Sequence, residues 1–229
     1  MSDYSALNGV FAELAESRRN YNAAVDKQFI RLAKSAGRRW LDIGAGDGKR
    51  ALALNRALSK DLTLVEPSSL LENSFELKHP ELRVIRASFD EIDAPLTFDV
   101  VSALWNVVGH VDSLEEFLRH VWAILDEGGL LFFDVNSPLN WKRFGAKAVA
   151  KNLLSQKESF SFAWNPTVSS TVNFYRISFI RAQLNQVGFS SSVTYFDYEN
   201  GNQVRSAFQG SAVIAARKPT SKPVSKGLG

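Results

Sequence analysis

A chain of 229 residues, 45% hydrophobic and 22% charged, has the apolar content for one sizeable core and fits a single α/β domain. It contains no cysteine, which excludes disulfides, thiolate metal sites and cysteine nucleophiles. The net charge of +3 is uneven: residues 61–140 carry 15 acidic against 4 basic groups, while the four basic groups from Arg217 onward face no acid, so the positive total is a property of the tail and implies no nucleic-acid groove.

In chain order, Leu7, Val10, Phe11 and Leu14, then Val25, Phe29, Ile30, Leu32 and Ala33, recur at helical spacing and predict helices over residues 5–36. "RRWLDIG" is a short apolar run ending in glycine, a buried strand, and "KRALALNRALS" is built of helix formers. "DLTLVEP" predicts a second strand and "SSLLENSFELK" a helix capped by Ser68 or Ser69. "LRVIRA" and "FDVVSAL" predict strands three and four. Asp112 or Ser113 caps a helix through about Leu125 that "EGG" ends, and "GLLFFDV" predicts strand five. Strands alternating with helices over residues 38–136 predict a parallel sheet covered on both faces.

After Asn136 the rhythm changes. An amphipathic basic helix is expected over 138–157, then strands at "ESFSFAW" and "SSTVNFY", and a helix at "SFIRAQLNQVGF" closed by Gly188. Two long strands joined by a turn at Asn200-Gly201 should close the sheet. The expected organisation is one domain over 1–218, with helices at 1–37, an insertion at 138–175 able to cover a substrate, and a disordered tail at 219–229. No secretory leader and no apolar run near the ~18 residues of a membrane span is seen. The expectation is therefore a cytoplasmic protein without a membrane partner; its oligomeric state is not legible.

The stretch "WLDIGAGDGKRALAL" carries the chemistry. A strand runs into a glycine turn that opens a helix, so a ligand can lie directly against Gly44 and Gly46, beside the unpaired N–H groups of the helix start. A dinucleotide site would need a third glycine where Lys49 stands, and Asp42 would repel a pyrophosphate. A carboxylate there suits a ligand with an ammonium group, and Glu66 at the end of strand two can accept hydrogen bonds from both hydroxyls of a ribose.

"LDIGAGDGKRALAL" followed by "LTLVEPS" resembles the first two motifs of class I S-adenosylmethionine-dependent methyltransferases, and the similarity continues through "RASFDEI", "FDVVSALWNVVGHV" and "LDEGGLLFFDVNSP". It covers residues 20–136 closely and the closing hairpin loosely. The resemblance implies a doubly wound, mostly parallel seven-stranded sheet with a C-terminal antiparallel hairpin, and S-adenosyl-L-methionine as cofactor. It assigns the methionyl part to Asp42, Gly44, Ala45 and Gly46, the ribose to Glu66 with Pro67, the adenine to Ser88 and Phe89, and the donor's flank to Leu104 and Trp105. Many members carry an acid where Ser88 stands; serine can still hydrogen-bond.

The acceptor should sit beyond the strand ends, near "LWNVVGHV", which is similar to the corresponding loop of small-molecule N-methyltransferases. This makes His110 the candidate base or orienting group, and Tyr21, Asn106, Asn136 and Trp141 the candidate substrate contacts, with Asn22 beside Tyr21. No metal ligand set is expected. The Asn/Asp-Pro-Pro-aromatic run of adenine and glutamine methylation is absent, and the cysteine of pyrimidine-carbon methylation does not exist here. Methyl transfer to a nitrogen or oxygen of a small metabolite is expected, nitrogen preferred. The alternatives are RNA or protein methylation and a donor-binding scaffold without catalysis. Arg143, Lys147 and Lys151, at i, i+4 and i+8, are either a solvated face or a basic row facing an anionic acceptor.

Overall fold

The computed structural model describes residues 8–68, 79–80, 82–92, 96–163 and 169–220. Its main sheet is formed by β1 (Arg39–Ile43), β2 (Asp61–Val65), β3 (Arg83–Ile85), β4 (Phe98–Ala103), β5 (Leu125–Val135), β8 (Ser190–Phe196), β9 (Gln203–Val204) and β10 (Ser211–Arg217). The order is β3-β2-β1-β4-β5-β10-β8-β9, parallel from β3 to β5 and antiparallel beyond. Strands β6 (Lys157–Ala163) and β7 (Ser169–Tyr175) form a separate antiparallel pair. The chain winds outward from β1 in one direction, then from β4 in the other. The order thus reverses between β1 and β4, where a ligand crevice opens at the strands' carboxyl ends.

The central strands are apolar on both faces because both are covered. Trp40, Val100, Leu130, Phe132 and Val213 pack with Val25, Phe29 and Ala33 of α2 (Arg19–Ala33) and Ala51 and Leu54 of α3 (Lys49–Leu58). Their neighbours Leu41, Val101, Leu131, Phe133 and Ile214 pack with Leu118 and Val121 of α4 (Leu114–Ile124) and Ile180 and Leu184 of α6 (Ile177–Val187). Phe29 lies 5.2 Å from the Trp40 ring and 5.1 Å from Phe132. Full burial of such a side chain contributes about 1.5–3 kcal/mol. The remaining helices are α1 (Asn8–Ser17) and α5 (Trp141–Asn152).

The expected doubly wound sheet is present, with local departures. Ser113 caps α4 through Glu116 N (3.2 Å), but the helix ends at Ile124, before "EGG". Leu125 already pairs with Phe98, so strand pairing captures the chain there and Gly128-Gly129 fall in an irregularity of β5. The main sheet has eight strands among the described residues, one more than expected. Asn200-Gly201 does make a turn, but it joins β8 to the short β9, and β10 returns to pair with β8 from Ser211↔Phe196 to Arg217↔Ser190. The turn is built by Asp197, whose carboxylate accepts from Glu199 N (3.0 Å) and Asn200 N (3.2 Å). Gly201 has φ 72°, and a Cβ there would stand 2.2 Å from Asn20 O, so the turn is seated directly on the start of α2. That contact brings Tyr198 over Tyr21, with ring centroids 5.1 Å apart.

The basic helix expected over 138–157 is also interrupted. Gly145 (φ 76°, ψ 160°) breaks α5 between Phe144 and Ala146, so Arg143 does not share a continuous face with Lys147 and Lys151. The helix expected after Glu66 and the tail from Ser221 lie outside the described residues. Among the described residues no helix is long and apolar enough to cross a membrane.

Candidate donor cradle and acceptor cavity

The glycine turn leaves β1 at the switch point. Gly44 N and Ala45 N donate to Val65 O (2.8 and 3.1 Å), tying the turn to the end of β2. Gly44 has φ 67°, and a Cβ there would stand 2.6 Å from Val107 Cγ2, so only glycine lets the turn nest against the loop after β4. Around Gly46 the space is different: a Cβ would meet no protein atom within 4 Å, leaving an open side for a ligand. Glu66, buried at the end of β2, accepts from Gly46 N (2.9 Å) with Oε2 and from Ser68 N (3.0 Å) and Ser68 Oγ (2.6 Å) with Oε1. A carboxylate offers about four lone-pair sites. The Ser68 hydroxyl is the partner a ribose diol could replace.

Asp42 is buried below the turn. Its Oδ1 accepts from Ser102 Oγ, which in turn accepts from Trp40 Nε1 (2.7 Å). Burial outweighs these bonds and raises its pKa from 3.8 to about 6, a carboxylate whose charged form a nearby cation would favour. The folded state holds this proton more tightly than the unfolded chain does. The associated stability is therefore fully present below pH 3.8 and lost as the pH rises through about 6. Asp42→Asn keeps an acceptor for Ser102 and carries no charge. At pH 7.5 it should stabilise the fold by about 2 kcal/mol and flatten the pH dependence between about pH 4 and 6, the interval between the unfolded and folded pKa values, while weakening donor binding. Urea midpoints across that pH range check this; a less stable variant at pH 7.5 would contradict it.

Beside the cradle the chain leaves β4 through two consecutive residues at positive φ, Trp105 (71°) and Asn106 (58°). Asparagine adopts this region readily, a bulky tryptophan rarely, so something must hold the pair. Asp134, buried in β5, does: its Oδ1 accepts from Trp105 N (2.6 Å) and Asn106 N (3.4 Å), and its Oδ2 from Tyr21 OH (3.0 Å). Burial raises the Asp134 pKa, and burial with the facing carboxylate pushes that of Tyr21 well up. Trp105 Nε1 donates to Asn22 Oδ1 (2.9 Å), and Asn136 N to Asn106 Oδ1 (3.0 Å).

This loop floors a cavity of about 220 Å³. Leu14, Arg18, Tyr21 and Asn22 wall it from the N-terminal helices, Arg143, Val172 and Phe174 from the 138–175 insertion, and Tyr198 from the β8–β9 turn. Asn106, His110, Asp134 and Asn136 come from the strand ends. His110 sits in the short 3-10 turn Val107–His110, and burial lowers its pKa, so its imidazole is neutral at physiological pH.

The sequence-derived residues thus divide. Asp42, Gly44, Ala45, Gly46 and Glu66 gather at the ends of β1 and β2, with Pro67 exposed beside them and Leu104 in the core. Ser88 starts the 3-10 turn Phe89–Glu91, its N–H donating to Glu91 Oε2 (2.8 Å). Phe89 packs on Phe117 (5.3 Å) and His120 (4.5 Å), so its ring is partly committed to α4. Tyr21, Trp105, Asn106, His110 and Asn136 all line the cavity. Trp141 does not: it is 55% exposed, with its backbone N–H donating to Phe208 O (3.1 Å), while from the same turn Arg143 reaches the cavity mouth and Phe144 packs on Phe174. Lys147 and Lys151 are likewise exposed and outside the lining. Asp134, Arg18 and Tyr198 were not foreseen. An acid inside the apolar run "LLFFDV" was a readable sign of the first.

Comparison with known proteins agrees with this geometry. Residues 15–191 match the family model described as "Methyltransferase domain". A curated protein from Geobacillus sp. (strain WCH70) that bears a methyltransferase name is 23% identical over 155 residues, 63% of this chain; the chain spans 60% of that relative's length. An S-adenosylmethionine-dependent methyltransferase from Thermotoga maritima superposes with a TM-score of 0.66 at 18% identity, covering 94% of this chain and 98% of its own. The glycopeptide N-methyltransferase MtfA complexed with sinefungin gives a TM-score of 0.63 at 12% identity, covering 87% and 94%. At such identities the structural likeness is one of fold. The match over residues 15–191, about three quarters of the chain, makes this chain a member of the methyltransferase-domain family, and the doubly wound sheet with its glycine turn agrees with it.

Proposed function

We propose that the chain transfers a methyl group from S-adenosyl-L-methionine to a nitrogen of a small metabolite held in the 220 Å³ cavity. When bound, the donor supplies a methyl group on a positively charged sulfur. The residues around Gly46 fit it: the turn is open where a ligand would lie, Glu66 has an exchangeable partner, and Asp42 is a buried carboxylate that gains from a nearby cation. The observation that carries the acceptor assignment is the cavity itself. It adjoins the donor cradle through the Trp105–His110 loop, whose Val107 packs against Gly44, is roofed by the insertion, and is lined by Tyr21, Asn106 and neutral His110. Displacement at a methyl carbon needs alignment and exclusion of water more than acid–base work, and positioning can supply up to ~7–11 kcal/mol. Among the described residues of the lining the one carboxylate, Asp134, is committed to Tyr21 and two backbone N–H groups, and His110 is the group placed to take up the proton an amine releases.

MtfA is named as a glycopeptide N-methyltransferase, and the Thermotoga maritima protein is described as a possible histamine N-methyltransferase; both favour nitrogen over oxygen. A cytoplasmic site of action belongs to the same reading. The test is transfer from methyl-labelled donor into a metabolite extract, with fragmentation of the product to place the methyl group. Label on nitrogen of a small molecule is expected, with turnover reduced in His110→Gln at unchanged donor affinity. Because burial sets the His110 pKa below the ordinary imidazole value, the wild-type rate should begin to fall at a lower pH than an exposed imidazole would dictate. Label confined to RNA or protein fractions would overturn the assignment.

A further inference from the structure

The cavity carries more positive charge than its fold requires. Arg18 Cζ lies 4.3 Å from the centroid of the Tyr198 ring, and Arg143 Cζ lies 5.5 Å from the same centroid and 5.3 Å from that of Phe174. Arg18 is half-buried and Arg143 stands at the exposed mouth. Among the described residues neither is in a salt bridge. Arg143 Nη1 donates to the neutral Asn136 Oδ1 (3.4 Å), and Arg18 rests on an aromatic face. Asp134, the one acid of the lining among the described residues, is taken by Tyr21, Trp105 and Asn106.

Two guanidiniums sharing one aromatic platform repel each other, and burial already lowers the pKa of Arg18. Cation–π contact with Tyr198 compensates each singly but does not neutralise the pair. An oxyanion does, because each guanidinium offers a fork of N–H donors matched to two oxygens. The volume of about 220 Å³ is below the ~300–1,000 Å³ of drug-sized ligand sites, so the occupant is small.

We propose, on the acceptor site assigned above, that the substrate carries an oxyanion, a carboxylate or a phosphate, seated between Arg18 and Arg143 with its apolar body against Phe174 and Tyr198. The two arginines then fix which end of the acceptor meets the methyl donor. They also select a neutral amine, since nearby cations disfavour the ammonium form and leave the lone pair available for methylation.

The test uses the full chain saturated with S-adenosylhomocysteine and titrated calorimetrically with benzoate, phenyl phosphate and the uncharged benzamide. Benzoate or phenyl phosphate should bind at least about tenfold more tightly than benzamide, the scale of a charge-assisted hydrogen bond. Their ratio tells which oxyanion the seat prefers. Arg18→Gln and Arg143→Gln should each remove that preference while S-adenosylhomocysteine affinity and melting temperature stay unchanged. Three outcomes overturn the proposal: benzamide binding as well as the anions, anion affinity indifferent to both substitutions, or neither anion binding below about 10 mM, weaker than any specific seat. A wild type that takes up no S-adenosylhomocysteine would instead strike the donor reading. The same anion titration of the protein alone reads the arginine seat independently.

Discussion

Asp134→Ala is expected to lower the stability of the fold by about 3–4 kcal/mol and to abolish methyl transfer. The substitution strands three donors at once: Trp105 N, Asn106 N and Tyr21 OH, all of which now point at one carboxylate. A buried polar group left without a partner costs about 1–3 kcal/mol, and water entering from the adjoining cavity would offset part of the total. The two backbone donors belong to residues at φ 71° and 58°, whose conformation is held by these bonds and would relax without them. Asp134→Asn retains an oxygen for Trp105 N and should lose about half as much. Tyr21→Phe removes a single hydrogen bond and should cost only about 1 kcal/mol. Urea unfolding of the three variants gives the ranking. Equal, small losses would mean that the Trp105-Asn106 loop holds its shape without Asp134.

Glu66→Ala is expected to weaken S-adenosylhomocysteine binding about ten- to hundredfold, corresponding to about 1.5–3 kcal/mol for hydrogen bonds to a charged group. Glu66 is the only acid at the end of β2 among the described residues and is preorganised by Gly46 N and Ser68, so it pays little to meet a diol. The loss should fall on ligands with both ribose hydroxyls and be smaller for a 2′-deoxy analogue, which already forgoes one bond. Calorimetry with the two ligands on wild type and variant gives the coupling. An unchanged affinity would remove Glu66 from the ribose site.

Much of this architecture is legible in the sequence because it is local. The strand–glycine turn–helix of residues 39–58 and the acid at 66 are fixed by period, glycine position and spacing. The parallel strands show as unbroken apolar runs since helices cover both faces. What escaped was decided by packing between distant segments. Asn200-Gly201 announces a turn but not which strand follows, and β9 forms because the turn is seated on α2. Gly145 looks tolerable inside a basic helix, yet it takes φ 76° and breaks the helix, so Arg143 at the cavity and the exposed Lys147 do not share one continuous face. Arg18 and Tyr198 meet across 180 positions of sequence, a pairing that no periodicity records.

A crystal structure of the chain with S-adenosylhomocysteine tests the central claim most directly, since the proposed donor cradle and acceptor cavity are distinct places on either side of the loop that carries Val107. The ribose hydroxyls should lie within hydrogen-bond distance of Glu66, the homocysteine part against Gly44 and Gly46, and the sulfur should face the cavity of Tyr21, Asn106 and His110. A ligand bound elsewhere, or with its sulfur turned away from that cavity, would contradict the account.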